Sequence, residues 1–203
     1  MYANVFELTS CLDDCIAYCD KHPERDHSRF HGPLLRGAKR DLTKSTERAD
    51  KEFVEWRMES REDRLAWKHL ARRVSAIQRK LDAVNAIGYV DQNVNYWDPE
   101  TLLDVVAEMI RYLREREEDI DFAADEAGQL ERLRAKAVSE DDETERALDE
   151  YLRFSKMRSD GLTTAKDTIA NFRKALRRDL TTRNEDYQAI RWPHQVAPDD
   201  RVI

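Results

Sequence analysis

FVEWRMESREDRLAWKHLARRVSAIQRKLDAV, residues 53–84, decides the fold. Phe53, Trp56, Ser60, Asp63, Trp67, Leu70, Val74, Ile77, Leu81 and Val84 advance by alternating steps of three and four. That spacing keeps one face of an α-helix against a neighbour over many turns, as in a coiled-coil seam. Leu35, Ala38, Leu42 and Ala49 carry the register backwards with one slip. Pro33 suits a first helical turn and Gly88 suits a stop, so the spacing predicts a helix over 33–87, about 80 Å long at 1.5 Å per residue.

The flanking segments extend this reading. Residues 4–21 carry Val5, Phe6, Leu8, Leu12, Ile16 and Cys19 at helical spacing, and Pro23 ends that helix. The polar stretch HPERDHSRFHG, 22–32, reads as a loop, as does GYVDQNVNYW, 88–97. DPET at 98–101 then offers a capping aspartate, a proline for the first turn and a glutamate for the helix N-terminus. Leu103, Val106, Ile110, Leu113, Glu117, Ile120, Ala124 and Ala127 continue at three-four spacing. SDGLTT, 159–164, reads as a stop and restart, so the second long helix is expected over 99–158, with Ser139 as a possible kink. A last helix is expected over 164–190, followed by an extended tail, 191–203, pinned by Trp192.

The expected fold is all-α: an elongated antiparallel helical bundle, a long coiled-coil-like hairpin with a four-helix end, forming one domain over 1–190. A turn centred near residue 93 pairs Trp56 with Leu130, and Leu81 with Val105 and Val106. The upper hairpin, about 62–125, is then a two-helix stalk. LLDVVAEMIRYL, 102–113, is too apolar for one neighbour, and its wide stripe calls for a second. Trp67, Leu70, Val74, Val105, Met109 and Tyr112 are therefore the expected interface for another copy or a helical partner.

Composition bounds the chemistry. Charged residues make up 38% of the 203, with 5 glycines and 5 prolines, as suits long solvated helices. The net charge of −7 speaks against nucleic acid or an anionic membrane as the default partner. No stretch of about 18 apolar residues exists to span a bilayer. Three cysteines and no leader pattern point to a reducing compartment, the cytoplasm.

Motifs for catalysis are sparse. No phosphate-cradling glycine loop, nucleophile elbow, zinc-protease helix or EF-hand pattern occurs, so the reading leans against an enzyme and implies no cofactor. All three cysteines lie in CLDDCIAYC, 11–19. Cys11, Cys15 and Cys19 share one helix side and, with His22, form a candidate Cu or Zn set, or a redox bundle. One helix face cannot close a tetrahedral site, and buried cysteine commonly behaves as a small hydrophobe, so the core reading is favoured. ERDH, 24–27, has the Glu-x-x-His spacing of di-iron bundles but no second copy. Asp63 and Glu117 fall at seam positions, where a carboxylate fixes register or, with a raised pKa, acts as acid or base. FRKALRRDLTTR, 172–183, holds five basic residues against one acid. Arg173, Lys174, Arg177 and Arg178 are the candidate phosphate or nucleic-acid face, with pairing to the acids of 139–150 as the plainer reading.

Overall fold

The structure, a computed structural model, describes residues 4–84, 86 and 97–193. Among these it holds helices and no strand. The helices are α1 (Val5–Lys21), α2 (Asp26–Ala83), α3 (Pro99–Glu115), α4 (Ala123–Asp179) and the single turn α5 (Glu185–Gln188). The chain is an all-α bundle in which α2 packs against α4 as a helical hairpin. It forms two compact units, Met1–Phe53 with Glu150–Ile203, and Val54–Asp149.

Local chemistry sets several of these ends. Asn4 caps α1: its side chain accepts from the Glu7 backbone N–H at 2.8 Å, and Glu7 reaches back to the Asn4 N–H at 3.3 Å. This reciprocal box satisfies two donors that a helix start leaves open. Asp98 caps α3 by accepting from the Thr101 N–H, and Pro99 occupies the first turn as expected. The expected stop at Gly88 and most of the loop 88–97 and the tail lie outside the described residues.

In the second unit, α2 packs on α4 as well as on α3. Glu126 of α4 pairs with Arg73 at 2.5 Å and with Lys80 at 2.6 Å. The guanidinium of Arg64 lies over the Trp97 ring, 5.5 Å from its centroid, placing the start of α3 beside the middle of α2. Val84 and Ala86 share a cavity with Tyr112, Arg116 and Phe122, placing the end of α3 beside the end of α2. α3 thus runs parallel to α2, not antiparallel to it as the hairpin pairing expects.

That arrangement corrects the two-helix stalk. α3 ends at Arg116, whose N–H bonds the Leu113 carbonyl, and the chain reverses over 116–122 before α4 begins. Residues 54–149 therefore hold three helical segments. The second neighbour that the stripe of α3 calls for is α4 of the same chain. Trp67, Leu70, Val74, Val105 and Met109 are buried in one core with Leu113, Ala127 and Leu130, and Tyr112 packs half-buried against it. Glu117, read as a seam position, is exposed in the turn and pairs with Arg114 at 2.6 Å.

In the first unit, three departures share one cause: polar or small residues at seam positions. HPERDHSRFHG is helical from Asp26, because His27, Ser28 and Gly32 face inward, one turn apart, in register with Leu35 and Ala38. Pro33 then lies inside α2, exposed, where it cannot donate to the carbonyl one turn back and its ring crowds that carbonyl. The slip falls after position 52, not before 53: Glu52, 3% exposed and paired to Arg48, holds the seam position, while Phe53 packs on Tyr151 at its edge. SDGLTT neither stops nor restarts a helix, and the expected last helix is the continuation of α4 to Asp179. A Cβ on Gly161 would lie 3.1 Å from Ser45 Oγ and 3.6 Å from Leu42 Cα. Glycine is there to let α2 and α4 approach, so this unit has three long helical segments plus α5.

Candidate functional site

The cysteines face the core. Cys11 and Cys15 are fully buried and Cys19 nearly so, among Leu8, Leu12, Leu35 and Phe172. The Cys11 and Cys15 sulfurs lie 3.9 Å apart. Burial pushes the Cys15 thiol well up and the Cys19 thiol up, which keeps both protonated and poor as ligands or nucleophiles. His22 turns away, toward Asp186 at 3.4 Å and Glu24 at 3.8 Å. Among the described residues, the three side chains of metal-ligating type that do converge are all glutamates, Glu59, Glu62 and Glu140, with carboxylate oxygens within 4.8 Å of one another.

A polar tie near the cysteines is absent from the sequence reading. His27 Nδ1 lies 2.6 Å from Asp179 and its Nε2 lies 3.1 Å from the Tyr18 hydroxyl. Donation to Asp179 leaves Nε2 free to accept from Tyr18. Tyr18 is 6% and His27 7% exposed, which suits a tie between α1, α2 and α4 and leaves no access for a substrate. Burial raises the Tyr18 pKa.

The basic residues of α4 divide between two faces. Arg173 and Arg177 donate to the Tyr187 hydroxyl at 2.8 and 3.1 Å, and Arg173 also lies over the Trp192 ring. Trp192 donates to the Tyr187 carbonyl, so it is pinned as expected. Arg191 clasps Asp14 through both guanidinium and backbone nitrogens, and these bonds hold the Asp14 carboxyl below its usual range. Two of the four candidate cations therefore secure the C-terminal segment to the bundle.

Lys174 and Arg178 are exposed on the opposite face, one turn apart, and neither pairs with an acid among the described residues. They line a groove of about 720 Å³ between α2 and α4. One wall is Phe30, Leu34, Gly37 and Asp41, with Pro33 and Ala38 beside them; the other is Thr164, Thr168, Asn171, Ala175 and Arg178 with Lys174. Both walls advance by steps of four and three, the spacing of a helix seam. This is a second seam on each helix, separate from the one that faces α1. The floor is small: Gly37, Ala38 and Ala175. A Cβ on Gly37 would meet nothing within 4 Å. Phe30 is 68% and Leu34 50% exposed, so the apolar wall stands in water. At its base the His31 ring packs on Phe30 and Phe172, burial lowers its pKa, and its buried Nδ1 finds no partner.

The groove is electrically uneven. Leu42 lies against Gly161, so Asp41 belongs to the end near Thr164, while Lys174 and Arg178 belong to the end near Phe30. Apart from the cations, little in the sequence announced this site. Its rows hold glycine, threonine and asparagine where a hydrophobic pattern needs leucine.

No family model, no curated protein and no solved structure matches this chain. No helix among the described residues is long and apolar enough to cross a membrane.

Proposed function

We propose that this chain is a non-enzymatic helical interaction protein, and that it docks a helix of a partner protein in the groove between α2 and α4. One observation carries this reading: two facing rows at heptad spacing, floored by small residues and fringed by exposed Phe30 and Leu34. Helix-in-groove recognition uses anchors at that spacing. The stripe first expected to mediate self-association, Trp67 through Tyr112, belongs to the chain's own core, so docking rests on the groove instead. Three free thiols packed inside the bundle support a reducing compartment such as the cytoplasm.

The test fills the groove without disturbing its walls. A hydrocarbon-stapled peptide of about four turns, with leucines at four-three spacing and a neutral polar back, should bind the wild-type protein. Gly37→Leu has open space for its side chain. It should abolish binding while the circular dichroism and melting temperature stay at wild-type levels or above. Equal binding to Gly37→Leu would overturn the reading.

A further inference from the structure

Resting on the docking reading, we infer that the partner helix is acidic at one end of its apolar stripe, and that this end seats on Lys174 and Arg178. Three features of the groove argue for it. The two cations stand one helical turn apart on the wall, close enough for two carboxylates one turn apart on an occupant to meet both. Neither has an acidic partner among the described residues, and neither joins Arg173 and Arg177 on the Tyr187 hydroxyl. The far end carries Asp41, so acids along the whole stripe would be repelled there. Asp41 keeps its neighbour Arg40 at 3.1 Å, which weakens that repulsion and leaves the cationic end dominant.

The apolar middle sets the remainder of the pattern. Phe30 and Leu34 line one wall and the floor is small, so the occupant presents bulky aliphatic anchors between its charged ends. An occupant with acids at one end and a base at the other matches both ends of the groove.

Three stapled peptides of equal helicity and identical leucine stripe test the inference: one with glutamates at one end and lysine at the other, one with glutamates at both ends, one with lysines at both ends. The first should bind about tenfold more tightly than the third at low salt, with the second between them. The gap should close in 1 M salt, where the screening length falls to about 3 Å. Lys174→Glu with Arg178→Glu, two exposed positions, should make the third peptide the tightest and the second the weakest while leaving the helical spectrum unchanged. Equal affinities for the three peptides, all lost in Gly37→Leu, would overturn the inference and spare the docking reading. Peptide binding indifferent to Gly37→Leu would overturn both. A dimer that Gly37→Leu dissolves would give the groove to a second copy, and displacement of peptide by a single-stranded DNA oligonucleotide with a steep salt slope would give the cations to nucleic acid. Either result overturns the inference.

Discussion

Gly161 of α4 sits so close to Leu42 of α2 that a Cβ added there would lie 3.6 Å from the Leu42 Cα and 3.1 Å from the Ser45 hydroxyl. Gly37, on the same face of the same bundle, has open space instead. The two glycines should answer substitution with opposite signs. Gly37→Ala gains helix propensity without a clash and should stabilise by about 1 kcal/mol. Gly161→Leu overpacks a closed contact and should destabilise by about 1–3 kcal/mol. Urea denaturation of both variants measures the pair, and a stabilised Gly161→Leu would refute the close approach.

Glu126 joins α4 to α2 through Arg73 and Lys80, and it is 3% exposed, whereas the Arg73 and Lys80 side chains are 30% and 50% exposed. Removing the carboxylate leaves two cations that water still reaches, so the cost is below that of orphaning a fully buried charge. Glu126→Ala should cost about 2 kcal/mol, and adding Lys80→Ala should cost little more, because the pair is already broken. A double-mutant cycle in chemical denaturation reads the coupling. Fully additive losses would mean the pair is idle.

Repulsion marks the opposite case. Glu59 on α2 is pushed above the usual glutamate range by burial and by Glu62, Glu143, Glu140 and Glu55. Asp63 is raised by burial and Asp141. A carboxyl whose pKa is higher in the folded than in the unfolded chain binds its proton more readily when folded. Its contribution to stability is present below the unfolded value of about 4.5 and is lost as pH rises through the folded one. Glu59→Gln should therefore melt higher than wild type at pH 7 and level with it near pH 4. A variant that melts lower at pH 7 would contradict the assignment.

Buried thiols should be silent. Cys11, Cys15 and Cys19 should resist an aromatic disulfide reagent in the native protein and react together on unfolding. Cys15→Ser places a hydroxyl where the thiol is enclosed and should cost about 1–3 kcal/mol. Native mass spectrometry on protein prepared without chelator supplies the complementary reading: a stoichiometric metal ion lost in Cys15→Ser would restore the metal site.

What the sequence reveals here follows from how apolar its signals are. The seam from Trp67 to Leu81 and the cap at Asp98 are legible because leucines, valines and a proline carry them. The turn at 116–122 is hidden because Glu117 and Ile120 keep the three-four rhythm through it. Gly161 misleads because a glycine that admits a neighbouring helix looks the same in one dimension as a glycine that ends one. The inward histidine His27 of α2 misleads in the other direction, since its ring is partnered by Tyr18, across Pro23, and by Asp179, 152 positions away in the chain. The groove rows are legible as spacing and silent as hydrophobicity.

The first unit is stitched across long stretches of chain: His27 to Asp179 over 152 positions, Lys21 to Asp186 over 165 and Asp14 to Arg191 over 177. The second unit is one uninterrupted segment, Val54–Asp149. During synthesis the second unit can close while the first still lacks its C-terminal half, because domains fold as their residues emerge. The N-terminal helices must wait, with Leu8, Leu12 and the three thiols unburied, until α4 is finished. Truncation before α4 ends should therefore produce a folded middle with a sticky, chaperone-dependent beginning.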